Sequence, residues 1–318
     1  MIMKSRDLVE LPNARPRLLE EEVTKFQHRL AETGLFSDEN LIRIMDSHPR
    51  DFCNVSRMGA DHSTYEWGEG DTTGLTGADL LEAVKKGRLW INIRRLMRHQ
   101  SEMHSLIERL YGELEIKCPG FVTGKHSANL LISSPNALVY YHLDVPQNIL
   151  WHIRGHKRVW VYPLEEQVIS RDILESTVAG ERIEDLPYDP SYDDLAQVFD
   201  LKPGDVVTWP QNSPHRVENF DDLNVSLSTE HYTARQLRYV RVCKANRLLR
   251  KRTGLPCRSL KTEGLGYALK ATAYLGFRSV QKLFGGDEVS YDYPMTFRVN
   301  PNMPDGVEML ENAEQPTV

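Results

Sequence analysis

Between Gly120 and Tyr232 the chain breaks into short runs of β-branched, aromatic and aliphatic residues separated by turn residues. This rhythm constrains the fold more than any other feature of the sequence. The runs are Ala128–Ser133, Ala137–Leu143, Ile149–Ile153, Arg158–Tyr162, Asp205–Trp209, Arg216–Asn219 and Asn224–Tyr232. Strands so short and so closely spaced imply a sandwich or a barrel. Arg154-Gly155-His156 predicts a tight hairpin between two of them, and Lys202-Pro203-Gly204-Asp205 a second turn. The stretch 165–200 interrupts the pattern. It is rich in Asp and Glu, opposed only by Arg171 and Arg182, and reads as an acidic surface insertion with one or two short helices.

The flanks read differently. Residues 1–119 are expected to form an N-terminal helical region with strands that complete the barrel sheet. Within it, Arg17–Thr33 has near-helical apolar spacing, Ser37 caps a helix running to Met45, and 58–75 reads as loop. Helices over Thr76–Lys86 and Ser101–Leu114 bracket a strand at Leu89–Ile93. Residues 234–300 read as a C-terminal helical region with a second helix over Tyr267–Phe284 and a strand at Tyr291–Val299. The remainder, 301–318, reads as a flexible tail. At 318 residues, one elaborated barrel domain with helical additions fills the chain.

Composition narrows the function classes. No run approaches the length of uncharged apolar sequence that a membrane-spanning helix needs, and the first residues lack the apolar core of a signal peptide. Cys53, Cys118, Cys243 and Cys257 are scattered with no Cys-x-x-Cys, which argues against a disulfide scaffold or a cysteine zinc site and favours the cytoplasm. The net charge of −6 argues against a wholly basic nucleic-acid coat. Basic residues nevertheless recur every third position at Arg235, Arg238, Arg241, Lys244, Arg247 and Arg250, and continue through Arg252. The helix 235–252 could face an anionic partner. The plainer reading is a solvated helix paired with the acidic insertion, or a homodimer contact through the C-terminal helices.

The chemistry concentrates in Tyr141-His142-Leu143-Asp144-Val145-Pro146-Gln147-Asn148 and the hairpin that follows. On an extended strand His142 and Asp144 leave the same face, so an imidazole and a carboxylate can share one divalent metal. His215, after Gly204-Asp205 and a Pro-flanked loop, is the best third ligand. Two His and one carboxylate leave metal positions open for substrate and dioxygen. An isolated His-x-Asp is a weak signal. The β-rich context, Lys157 one hairpin later and the Gly-Asp…Pro-His approach strengthen it. His152 and His156 flank the hairpin and read as surface residues, His231 as structural, and Trp151 and Trp160 as packing residues.

Taken together, residues 120–232 resemble the JmjC and cupin-like family of iron(II)- and 2-oxoglutarate-dependent oxygenases, closest to the asparaginyl-hydroxylase pattern. Asn148 stands six residues and Lys157 fifteen residues after His142, flanked by Gly155 and Arg158, as in that pattern. The resemblance implies a mainly β fold: a double-stranded β-helix (jelly roll) core over 120–233 with N- and C-terminal helices. It implies iron(II) on His142, Asp144 and His215, and Lys157 pairing with the distal carboxylate of 2-oxoglutarate. Asn148 would lie in the cosubstrate pocket. Dioxygen would be consumed, and a substrate hydroxylated or N-demethylated, with succinate and CO2 as coproducts.

Two departures bear on cosubstrate and substrate. The family's hydroxyl donor three residues before the first metal His is Val139 here, with Tyr140 or Ser228 as replacements. Glu230 stands where asparaginyl hydroxylases carry a substrate-facing Asn; with Ser226, Ser228 and Tyr232 it would share an inward face. The substrate stays open among a protein side chain, a modified nucleic acid, a glycolipid and a small metabolite. The rival readings are a cupin enzyme that needs no 2-oxoglutarate, and a non-catalytic binding module whose working part is the basic helix.

Overall fold

The computed structural model describes residues 6–12, 14–62, 65–283 and 295–310. The N-terminal region holds β1 (Val9–Glu10), α1 (Leu18–Glu21), β2 (Thr24–His28), α2 (Asp38–Ser47), β3 (Cys53–Met58), β4 (Trp67–Asp71), α3 (Gly77–Lys86), β5 (Leu89–Ile93), α4 (Leu96–His99) and α5 (Ser101–Lys117). The β-rich part contributes β6 (Thr123–Ser133), β7 (Leu138–His142), β8 (Gln147–Arg154), β9 (Lys157–Val161), α6 (Arg171–Ala179), β10 (Gln197–Leu201), β11 (Asp205–Thr208), β12 (His215–Asn219) and β13 (Asn224–Thr233). Then come α7 (Ala234–Thr253), α8 (Leu265–Leu283), β14 (Met295–Val299) and β15 (Val307–Met309).

The strands form two sheets. The larger runs β1-β2-β11-β8-β13-β6-β5-β3-β4-β14-β15, and the smaller runs β10-β9-β12-β7. Side-chain alternation assigns each strand two duties. On β8, Ile149, Trp151 and Ile153 join Val225 and Leu227 of β13 in a large core with Leu110 and Tyr111 of α5. Leu150, one residue out of phase, packs across the space between the sheets against Val159, Val161, Val207 and Val217. Both faces of these central strands are buried, so they read as near-continuous apolar runs. Each large side chain so buried stabilises the fold by about 1.5–3 kcal/mol. The jelly-roll core with helical flanks is thus borne out.

Local chemistry sets the boundaries. Ser37 caps α2 by accepting from Asn40 N, and Thr233 with Gln236 forms a capping box that starts α7. The β8–β9 hairpin turns at Gly155 (φ 79°), where a Cβ would meet the Leu223 carbonyl at 2.5 Å.

Four expectations need correction. The helix expected over Arg17–Thr33 is instead α1, then β2, then a 3-10 turn over Leu30–Thr33, because Phe26 and neighbours pair with the β11 edge and sheet pairing outweighs the helical spacing. The loop expected over 58–75 contains β4, paired to β3. The insertion 165–200 contains α6 but also β10, which pairs with β9 and extends the smaller sheet. The tail expected over 301–318 contains β15, paired with β14; residues 311–318 lie outside the described residues, as do 291–294 of the expected last strand and Phe284 at the end of the expected helix.

Most of the charge on α7 is consumed within the chain. Arg247 and Lys251 reach Glu181 at 2.9 and 2.6 Å, Arg235 reaches Glu21 at 2.8 Å, and Arg250 pairs with the fully buried Glu175. Among the described residues no helix is long and apolar enough to cross a membrane.

Candidate metal centre

His142 ends β7 and His215 begins β12, and the two pair directly in the sheet register. Val217 pairs with Val139 rather than with the residue that strict alternation demands, so β7 carries a bulge at Tyr140–Tyr141. The extra residue lets Val139 and His142 both point between the sheets although they are three apart. Asp144 follows just beyond the strand. Its carbonyl accepts from Asn212 Nδ2 at 2.7 Å, which ties it to the Pro-flanked loop before His215.

The three side chains meet. One ligand atom from each of His142, Asp144 and His215 lies within 4.8 Å of the others. His142 Nε2 is 3.9 Å from Asp144 Oδ1, and His215 Nε2 is 3.4 Å from Asp144 Oδ2. Each imidazole faces a backbone carbonyl through Nδ1, Tyr140 O at 2.8 Å and Ser213 O at 3.1 Å. Donation there leaves both Nε2 lone pairs aimed at the shared point. Burial, reinforced by His142, pushes His215 down to about 3, so it stays neutral and able to ligate. Two imidazoles and a carboxylate converging in this way form a donor set that a divalent ion completes.

Asn148 sits on the inner face of β8. Its Nδ2 reaches Asp144 Oδ2 at 2.9 Å and Ser228 Oγ at 2.8 Å, so amide and hydroxyl brace the ligand carboxylate from β13. Lys157 opens β9 in phase with Val159 and Val161, which face the same interior. Trp209, in that apolar cluster, packs 4.4 Å from the His215 ring. Lys157 is only 5% exposed and makes no hydrogen bond or ion pair with a described residue. Burial pulls its ammonium down to about 7. A buried cation that pairs with no described residue, in the same interior as the triad, calls for an anion.

The other sequence-derived site residues separate. Tyr140 turns away from the interior, and its hydroxyl engages Gly59 N and Glu66 N, each at 3.0 Å; the β7 bulge sends it outward, so it is not part of the interior pocket. Ser228 faces inward beside Asn148. Glu230 is half-buried on the same side, its carboxylate held by Ser127 Oγ at 2.8 Å and Asn129 Nδ2 at 3.2 Å. Burial and the nearby Asp144 push its carboxyl upward.

Sequence reasoning missed several neighbours. His152, expected at the surface, is fully buried; it contacts Ser226 Oγ at 3.0 Å and the Gly155 carbonyl at 2.8 Å. Alternation from Asn148 through Leu150 gives the signal for its inward direction. Glu184 and Asp185 come from the acidic insertion, whose backbone bonds to β7 through Leu143 N and Tyr141 O. A cavity of about 490 Å3 opens against His142 there, walled by Trp67, Trp90 and Val139 and rimmed by Glu184 and Asp185, with Arg182 and Lys244 also lining it.

A β-jelly-roll interior that presents two His and one Asp to a common point is a candidate metal centre of the cupin type. A model of the cupin-like domain family matches residues 72–233, and the chain belongs to that family. The resemblance read from residues 120–232 is borne out at this level. Among solved structures, an X-ray structure of Escherichia coli YcfD is similar at 14% identity with a TM-score of 0.47, over 86% of this chain and 67% of that one. A structure of YcfD, described as a ribosomal oxygenase from Escherichia coli, in complex with cobalt and 2-oxoglutarate, is similar at 12% identity with a TM-score of 0.42, over 82% and 65%. The chain therefore spans about two thirds of those proteins' length. The lyase DddQ of Ruegeria pomeroyi is similar over 34% of this chain and 39% of its own, at 15% identity and a TM-score of 0.22. No curated protein matches.

Proposed function

We propose that this protein is an iron(II)- and 2-oxoglutarate-dependent oxygenase that hydroxylates, or removes an N-methyl group from, a substrate held at the His142 cavity. The observation that carries the reading is Lys157: a buried ammonium with no partner among the described residues, in the same barrel interior as three converging candidate ligands. When bound, iron(II) with 2-oxoglutarate and dioxygen supplies oxidative decarboxylation, giving succinate, CO2 and an oxidised substrate. Lys157 holds the distal carboxylate of the cosubstrate and regains a full charge in doing so. Asn148 and Ser228 fix the orientation of Asp144, and the apolar layer around Leu150 and Val217 excludes bulk water.

The rim indicates the substrate class. Glu184 and Asp185 stand at the opening beside Arg182 and Lys244, and burial, then Asp144 and Glu230, push the Glu184 carboxyl up. Carboxylates crowded in this way favour a cationic group on the substrate. Trp67 and Trp90, edge to face at 5.8 Å, give such a group an aromatic wall.

Anaerobic titration of the iron(II) protein with 2-oxoglutarate tests the reading. A metal-to-ligand charge-transfer band is expected, absent in His142→Ala and weakened in Lys157→Ala. A band undiminished in Lys157→Ala would instead favour a cupin enzyme with no use for 2-oxoglutarate's distal carboxylate. No band at all in the iron-loaded protein would favour a binding module.

A further inference from the structure

The C-terminal helices carry a surface that the barrel does not use. On α8, Tyr267, Ala271, Tyr274 and Phe277 recur at helical spacing and form the side that meets α7. Arg241 donates to the Tyr267 hydroxyl at 3.2 Å, Arg252 lies 5.4 Å over the Phe277 ring, and Ala271 is buried. The opposite side lies in water. Leu265, Leu269 and Leu275 are 77%, 64% and 45% exposed, with exposed Ala268, Ala273 and Gly276 among them. A free helix of a water-soluble domain ordinarily turns charge, not leucine, to solvent.

Charge accompanies the leucines. From Lys251 to Leu283 the sequence holds Lys251, Arg252, Arg258, Lys261, Lys270, Arg278 and Lys282 against Glu263 alone, a local excess of +6 in a chain of net −6. Unlike Arg238, Arg247, Arg250 and Lys251 of α7, Arg252 at its end and Arg258, Lys261, Lys270 and Arg278 beyond it form no ion pair with a described residue. On α8 itself Lys270 and Arg278 lie toward the side of Tyr267 and Tyr274, opposite the leucines, and the other cations come from the end of α7 and the connection before α8. Whatever covers this arm must therefore accept an apolar helix face and an excess of positive charge on the segments beside it. A nucleic acid would neutralise the cations and leave the leucines in water. A two-fold copy would bury the leucines but set two strongly cationic arms against each other. An anionic lipid surface satisfies both demands.

We propose that the α7–α8 arm docks this protein on an anionic lipid bilayer, with α8 in the plane of the surface, its Leu265, Leu269 and Leu275 face in the acyl boundary and the cations of the arm, from the end of α7, the connection and α8, at the headgroups. Flotation of the full-length protein with vesicles tests this. Vesicles of equal parts phosphatidylglycerol and phosphatidylcholine are expected to retain at least about tenfold more protein than phosphatidylcholine alone, and to release most of it at about 0.5 M salt. The double variant Leu265→Glu, Leu269→Glu is expected to lose retention while melting at the wild-type temperature, since both positions are exposed. Equal or no retention on the two vesicle types would overturn the proposal. So would a dimer in light scattering that the double variant splits, because a second copy would then be the occupant. Neither readout depends on metal or turnover, so the oxygenase reading stands or falls separately.

Discussion

Replacing Lys157 with Met is expected to make the protein more stable and less able to bind its cosubstrate. The change keeps an unbranched chain of similar volume and removes only the buried charge. A fall from 10.5 to about 7, at about 1.4 kcal/mol for each pKa unit, sets a ceiling of roughly 5 kcal/mol on the cost of keeping that ammonium charged in the folded state. Local relaxation and water entry leave about 2–4 kcal/mol of that as a measurable gain in Lys157→Met. The sign follows from proton counting. Folded Lys157 releases its proton near 7 and unfolded Lys157 near 10.5, so between those values the unfolded chain binds more protons and wild-type stability rises with pH. The advantage of the variant is therefore full below about pH 7 and shrinks as pH climbs toward 10. Urea unfolding of the metal-free protein at pH 6.5 and pH 9 measures it. Added 2-oxoglutarate, with metal present, is expected to stabilise wild type and leave the variant nearly unchanged. A variant less stable than wild type at pH 6.5, or a gap that ignores pH, would refute the picture of an unpaired buried cation.

Other perturbations probe separate parts of the account. Asn148→Ala removes the brace between Asp144 and Ser228 and is expected to weaken metal affinity about 10–100-fold, read by competition with a metal-sensitive dye, while leaving the Ser228 hydroxyl without its partner costs about 1–3 kcal/mol of stability in denaturant unfolding. Glu230→Gln keeps the side-chain volume and loses the charge; the KM of a cationic substrate should rise about tenfold with the KM for 2-oxoglutarate unmoved, and equal effects on both would show that Glu230 acts through the fold. Trp151→Ala empties a fully buried site whose indole N–H donates to Thr229 at 2.9 Å, and is expected to cost about 3–5 kcal/mol in denaturant unfolding. A divalent ion held at 100 times its Kd is expected to add about 2.7 kcal/mol to stability, reversed by a chelator.

What the sequence discloses here follows from how local each signal is. His142 ends β7 with Asp144 two residues on, and Lys157 is one hairpin away, so short-range geometry and a Gly155 turn are enough to place them. His215 is legible through its turn-strand-Pro approach, although its meeting with His142 depends on long-range pairing. Tyr140 was a sound candidate under strict alternation and fails only because β7 bulges, which single residues do not announce. β2 is hidden because Val23, Phe26 and Leu30 fall at helical spacing, and the deciding partner, β11, lies far along the chain. Glu184 and Asp185 are invisible for the same reason. Nothing near them in sequence says that an acidic insertion folds back along β7 and rims the cavity.

The central claim is that His142, Asp144 and His215 hold a single divalent ion. Calorimetric titration of the metal-free protein with manganese(II) or cobalt(II) under anaerobic conditions tests it most directly. The account predicts one ion for each chain and no saturable binding in His142→Ala, Asp144→Ala or His215→Ala, each still folded by circular dichroism. Saturable binding that survives any of the three substitutions at wild-type affinity would contradict it.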